Sequence, residues 1–250
     1  MSIYSKILRD KNEGRKNFAV LVDPDKTQNR ICETLARDSQ LAGVDMIFVG
    51  SSLLTSNNLD ECIKILKQNC SIPIVLFPGS TMQISVNADA VLLLSLISGR
   101  NAEMLIGKQV IAAPLLKKSG LEIIPTGYIL VDPGHPTSVS YMSNTNPIPH
   151  DKNDIAMCTA LAGEQLGLKL IFMDAGSGAR VPVHTSMLEE VRSAISVPLI
   201  CGGGIKTPEK ALANCNAGSD LIVVGNSIEN DQSIIAEISD AVHSCMPAPR

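Results

Sequence analysis

The feature of this sequence that most limits its fold is a rhythm. Eight short, mainly apolar runs recur between stretches of helical length: 18–23 (FAVLVD), 44–50 (VDMIFVG), 72–77 (IPIVLF), 90–94 (AVLLL), 122–132 (EIIPTGYILVD), 168–174 (LKLIFMD), 197–201 (VPLIC) and 220–225 (DLIVVG). Within the runs the apolar residues are largely continuous rather than alternating, as parallel strands buried on both faces require. Helices are expected over 28–40, 58–69, 101–117, 152–165, 185–195, 207–216 and 230–244. Eight strands close a (β/α)₈ barrel, and 250 residues is a usual length for one. No composition shift or Pro/Gly/Ser-rich linker divides the chain, so residues 1–250 are read as a single α/β TIM-barrel domain. An open doubly wound sheet is the next architecture, but no GxGxxG follows the first run. One interval is thin: PGSTMQISVNAD, between Phe77 and Ala90, holds little more than a turn, and the third crossover is expected to be irregular.

In such a barrel the functional loops follow the C-terminal ends of the strands. Those positions read DPDK, GSSLL, FPGS, SGRN, DPGHPTSVSYMSNTNPIPH, DAGSGAR, CGGGIKTP and GNSIE, and they hold most of the Gly, Asp and Ser punctuation. Other function classes are disfavoured by composition. Net charge is −4 with no basic block, aromatics are 3% and Trp is absent, so neither a nucleic-acid surface nor a base-stacking platform is expected. The seven cysteines (32, 62, 70, 158, 201, 215, 245) have no CxxC spacing, which argues for free thiols in a reducing cytoplasm and against zinc. The longest apolar run, Ala90–Ile97, is far short of the ~20 residues that span a bilayer.

The last two strand candidates lead into GGGIKTPEKA (202–211) and VVGNSIE (223–229). Glycines let backbone N–H groups approach an anion, and the helix starts that follow add partial positive charge. One such turn would be an ordinary βα connection; two on consecutive units favour a phosphate site, with AGSG (175–178) as a third group of donors. DPDK (23–26) offers Asp23 at a strand end, where an oxygen ligand for Mg²⁺ would sit, and Asp25, which suits either a metal or the N-cap of the first helix. Ser51 and Ser52 end the neighbouring strand and could add a hydroxyl. The segment 134–150 is long, polar and Pro-rich; it reads equally as a lid, with Tyr141, Ser143, Asn144 and Thr145 lining a site, or as exposed linker. The four histidines show no ligand spacing.

Taken in order, LVDPDK, VGSS, FPGS, SGRN, GYILVDPG…TSVSYMSNTNPIP, AGSGA, GGGIK and VVGNSIE resemble the geranylgeranylglyceryl phosphate synthase, or PcrB-like, family over roughly residues 18–229. The resemblance implies a modified barrel with an irregular third crossover. It also implies a Mg²⁺-assisted prenyltransferase, in which the C3 hydroxyl of sn-glycerol 1-phosphate attacks a polyprenyl (geranylgeranyl) diphosphate and diphosphate leaves. Carried over by motif, Asp23 and Ser52 match the Mg²⁺ ligands. Phe172, Met173, Asp174, Ala175, Gly176, Ser177, Gly178, Gly203, Gly204, Gly225 and Asn226 match the glycerol-phosphate site. Homo-oligomers, dimers or hexamers, are implied as well, with at most peripheral membrane contact. Two positions depart from the family pattern: Phe172 stands where Tyr is common, and Asp174 where Glu is usual. The shorter carboxylate loses on the order of 1 Å of reach, a misplacement that can cost ~10²-fold in rate. Asp174 is expected to face the glycerol hydroxyls and take the C3 proton; the alternative is a carboxylate that caps its own turn. Two further readings are a phosphosugar isomerase or lyase on the same barrel, and a non-catalytic phosphate binder.

Overall fold

Each of the eight apolar runs becomes a strand in the computed structural model, which describes residues 2–245. They are Asn17–Val22 (β1), Met46–Val49 (β2), Ile74–Leu76 (β3), Ala90–Leu96 (β4), Glu122–Leu130 (β5), Leu170–Asp174 (β6), Leu199–Gly202 (β7) and Leu221–Val224 (β8). Neighbours in sequence pair in parallel, and β8 closes the barrel onto β1. Strand alternation splits the apolar residues into two cores. Ala19, Phe48, Leu92, Tyr128, Phe172 and Val223 point inward and fill the barrel, while Val20, Ile47, Ile129 and Met173 point outward under the helices. This is why the runs look uniformly apolar in sequence.

The helical layer consists of Ile3–Asn12 (α1), Asn29–Leu41 (α2), Leu59–Asn69 (α3), Lys108–Ser119 (α4), Ser138–Ser143 (α5), Asn153–Gln165 (α6), Thr185–Ala194 (α7), Pro208–Asn216 (α8), Asn226–Asn230 (α9) and Ile234–His243 (α10). Three features differ from the sequence expectation. The helix expected over 230–244 starts later, at Ile234, and the short α9 precedes it. The helix expected over 101–117 opens with a π turn, Glu103–Gly107, and α4 carries Pro114 in its interior, where it removes one backbone donor. Sequence reasoning did not anticipate α1, which plugs the N-terminal end of the barrel: Ile7 joins the interior cluster, with Ile3 and Tyr4 packed against it. The Glu122 carboxylate accepts the N–H groups of Ile3 (2.6 Å) and Tyr4 (3.0 Å), satisfying the positive end of that helix.

The third crossover has no helix between β3 and β4. Its buried Gln83 does the tethering instead. The side chain donates to the Ser51 carbonyl (2.8 Å) and accepts from the Ser51 (3.3 Å) and Gly79 (3.2 Å) N–H groups, tying the turn after β2 to the turn after β3. A ring of charge surrounds the opposite end of the barrel. Asp45 receives Lys6 Nζ (2.8 Å) and the Phe18 N–H (3.0 Å) and pairs with His243 Nε2 (2.9 Å), while Asp10 receives Lys6 (2.9 Å) and Arg15. Asp220 receives Arg192 (2.9 Å) and the Leu199 N–H (2.9 Å).

Candidate functional site

The C-terminal ends of the strands surround a cavity of about 460 Å³. Asp23, Ser51 and Ser52 from the first two units, Phe172 and Asp174 from β6, and the three glycine turns all face it. Met173 and Ala175, placed in the glycerol-phosphate site by motif, do not: both side chains are fully buried in the outer core. The cause is strand alternation, which turns every second residue of β6 away from the cavity.

Asp174 continues the inward face of β6 and is 8% exposed. Its Oδ1 accepts the Gly176 N–H at 2.7 Å, so that N–H, expected to serve an anion, is already taken. The capping role left open from sequence is therefore real. Its Oδ2 accepts the hydroxyl of Tyr128 at 2.6 Å. Tyr128 lies on β5 opposite Phe172 in the register, and supplies from the neighbouring strand a hydroxyl that Phe172 lacks. Burial pushes the Asp174 carboxyl above its ordinary value, against the two hydrogen bonds that pull it down.

Gly203 explains why the turn after β7 must be glycine. Its φ is +80°, and a Cβ there would lie 2.5 Å from Asp174 Oδ1 and 2.6 Å from the Ala175 nitrogen. The turn after β6 is linked to the start of α9 by Ser177 Oγ, which donates to Asn226 Oδ1 (2.7 Å). Gly178, Gly204, Gly225 and Asn226 line the same side of the cavity. Three consecutive βα turns thus converge on one polar corner, a geometry suited to an anion.

At the other polar corner, Asp23 Oδ2 accepts Ser51 Oγ (2.9 Å) and pairs with Lys26 (3.3 Å), which also reaches Glu229 (3.5 Å). Burial, and then the Asp23 charge, raise the Glu229 carboxyl despite Lys26. Ser52, the expected partner of Asp23, lines the cavity, but the hydroxyl bonded to Asp23 is that of Ser51. Asp25 is not the N-cap of α2, a position held by Gln28. It accepts Thr55 Oγ1 (3.0 Å) and the Ser56 N–H (3.2 Å), bracing the turn after β2. Among the described residues no group of three or more His, Cys, Asp or Glu side chains is placed to hold a metal ion. Oxygen donors from Asp23 and a serine fit a hard cation such as Mg²⁺, whose remaining ligands commonly come from phosphate oxygens and water.

The cavity then leaves the polar corners along an apolar wall: Leu94 and Leu96 of β4, Met104 in the π turn, and Ala112 and Leu116 of α4, with Ile84 from the third crossover. Segment 134–150 contributes through α5, whose Val139, Met142 and Ser143 face the cavity. Tyr141 is 84% exposed on the far side, and Asn144 and Thr145 line a separate polar depression with residues 98–102, so these three do not reach the cavity. Tyr128, Gln83, Lys26 and Glu229 are the residues that sequence reasoning missed. Of these, Lys26, Tyr128 and Glu229 lay within motifs already singled out but were given no role, whereas Gln83 carried no local signal.

The model of the PcrB family matches residues 9–243. The chain is 58% identical over 245 residues to a geranylgeranylglyceryl phosphate synthase of Chitinophaga pinensis, covering 98% of this chain and 97% of that protein. It is 42% identical over 230 residues to one of Pyrococcus horikoshii, covering 92% and 90%. Among solved structures it resembles the (S)-3-O-geranylgeranylglyceryl phosphate synthase of Thermoplasma acidophilum in complex with sn-glycerol-1-phosphate. That match has a TM-score of 0.92 and 33% identity, and covers 97% of this chain and 99% of that one.

Proposed function

The chain belongs to the PcrB family, and on that premise we propose that it is a prenyltransferase joining the C3 hydroxyl of sn-glycerol 1-phosphate to the allylic carbon of a polyprenyl diphosphate. One observation carries the reading: a single cavity connects an anion-binding corner of glycine turns to an extended apolar wall. A phosphosugar isomerase or lyase, the competing reading, handles a substrate with no apolar tail and has no use for that wall.

On this reading the glycine turns bind the glycerol phosphate, with Ser177 and Asn226 fixing two of the turns to each other. Asp174 faces the acceptor hydroxyl and takes its proton as the C3 oxygen bonds to the allylic carbon. The allylic C–O bond breaks with its electron pair leaving on diphosphate. The negative charge of Asp174 also favours a cation-like allylic transition state. Asp23 and Ser52, with Ser51 beside them, would hold Mg²⁺, which supplies charge neutralisation for the leaving group. The leucines of β4 and the apolar side chains of α4 shelter the tail and exclude water.

A cytoplasmic location with at most peripheral membrane contact is part of the same reading. No helix among the described residues is long and apolar enough to cross a membrane. A homo-oligomer, dimer or hexamer, is part of the same reading, and the exposed Ile106, Val110, Ile111 and Leu115 offer apolar surface for a second copy to cover. Light scattering on the purified protein would show a dimer or hexamer mass. To test the activity, the protein is incubated with Mg²⁺, labelled sn-glycerol 1-phosphate and prenyl diphosphates of several lengths. Label is expected in the organic extract. None at any chain length would overturn the proposal.

A further inference from the structure

The two donors that hold Asp174 are of different origin. Gly176 lies two residues on, and its N–H makes the local bond that an Asp at a turn commonly makes. Tyr128 lies 46 residues away in sequence, and its hydroxyl reaches Asp174 Oδ2 at 2.6 Å, the length of a charge-assisted O–H···O⁻ bond. Its ring has little freedom. It meets Phe172 edge-on at 5.6 Å and 84°, and Phe77 at 5.8 Å and 60°, while Phe77 and Phe172 stack at 5.2 Å. Phe48 extends the cluster at 6.4 Å from Phe77. Two of the chain's four phenylalanines thus pack on Tyr128 and a third packs on Phe77, in a protein that is 3% aromatic. The packing places the phenol oxygen, and the phenol oxygen places the carboxylate.

The surroundings of Asp174 make this bond matter. Burial pushes its carboxyl up, and Tyr128 and then Gly176 oppose that push. The other titratable group close enough to sense its charge is Cys201 on β7, itself raised to about 12, chiefly by burial. Across the cavity, Asp23 after β1 and Glu229 on α9 pair with Lys26. Lys206 after β7 and Lys108 on α4 line the cavity as well, and neither is ion-paired with Asp174. Tyr128 is no substitute base: burial and the adjacent carboxylate raise its hydroxyl well above the usual range.

We propose that Tyr128 is a positioning residue for proton transfer, its hydroxyl holding Asp174 ionised and aimed so that the remaining carboxylate lone pairs face the acceptor hydroxyl. The inference rests on the reading of Asp174 as the proton acceptor. In the step, the C3 hydroxyl proton passes to Asp174, Tyr128 keeps its own proton throughout, and Asp174 afterwards releases the acquired proton to water.

The test is the pH dependence of kcat with Mg²⁺, sn-glycerol 1-phosphate and geranylgeranyl diphosphate, in wild type, Tyr128→Phe and Asp174→Asn. Loss of one charge-assisted bond should move the acidic limb of Tyr128→Phe upward by about one to two pH units. Turnover above that limb should stay below wild type, by up to ~10²-fold, because the carboxylate also loses its aim. Asp174→Asn should lose ~10²-fold or more above the wild-type limb and should lack that limb altogether. The ionisations of the substrates are common to all three enzymes and cancel in the comparison. A Tyr128→Phe limb that stays at the wild-type pH overturns the role of Tyr128 while leaving Asp174 in place. Near-normal turnover in folded Asp174→Asn overturns the reading beneath it. Should Tyr128→Phe fail to fold, 3-fluorotyrosine placed at position 128 keeps the ring and strengthens the donor. The limb must then move to lower pH, and an unmoved limb refutes the proposal.

Discussion

At the N-terminal end of the barrel, Asp10, Asp45 and Asp220 each meet a cation; at the C-terminal end, Asp174 meets a phenol and a peptide N–H. All four carboxylates are largely buried, and at Asp10, Asp45 and Asp174 burial pushes the carboxyl up. At Asp45 that push is outweighed by His243 and Lys6, and the group stays below its ordinary value; at Asp10 it is outweighed by Lys6 and Arg15. At Asp174 burial prevails. Asp174 has no cation among its hydrogen-bond partners to offset that push. One end uses its charges to hold α1, the strand starts and α10 together. The other leaves a carboxylate strained toward accepting a proton, the condition in which it is useful chemically.

Substitutions at the two ends should therefore fail in different assays. The largest effect is expected for Asp23→Ala: Mg²⁺-dependent turnover should fall by ~10³-fold or more, with glycerol phosphate affinity by calorimetry nearly intact. Loss of that affinity would instead assign Asp23 to the acceptor corner. Asp174→Asn should follow at ~10²-fold, with a melting temperature no lower than wild type. A carboxyl raised on folding contributes stability that is present below its unfolded value and lost as pH rises through its folded value, so at neutral pH the charge weakens the fold. A large drop in melting temperature would make Asp174 a structural group.

Asp45→Ala should do the reverse, costing about 1–3 kcal/mol in urea denaturation with kcat/KM unchanged; a loss of turnover would mean that the two ends are coupled. The smallest effect is in acid. Asp10 and Asp45 are held below their ordinary values, so their contribution is present above the unfolded value of about 3.8 and is lost as pH falls through the folded values. Thermal melts from pH 5 to pH 2 should show a shallower decline for Asp45→Asn than for wild type, and parallel curves would remove Asp45 from the acid response.

The same contrast separates what was legible in the sequence from what was not. Strands announce themselves through continuous apolar runs, and the glycine turns through composition at the strand ends, because both are local. The thin stretch after Phe77 was legible as a missing helix for the same reason. α1 is short and largely polar, and its two inward isoleucines, Ile3 and Ile7, are too few to stand out as a stripe. Met173 was misplaced by carrying over a contiguous motif, although alternation along β6 already turned it outward. Tyr128 lay within the GYILVDPG motif but had no mark of its role: within EIIPTGYILVD it reads as one more core residue, and its hydroxyl acquires a partner through the register of β5 on β6. Asp25 and Gln83 find their partners in neighbouring turns in the same non-local way.

The absent helix between β3 and β4 has a consequence for how such a molecule can diversify. A hydrocarbon tail is a linear object, and a barrel already filled with its own side chains has no lumen to lend it. Omitting one stave from the outer ring leaves room at the perimeter, beside Ile84 and α4, while Gln83 keeps the same crossover tied to Ser51 at the Asp23 corner. On the proposed function, tail length would be a dimension of the periphery, bounded by apolar side chains such as Met104 and Leu116 that line the cavity.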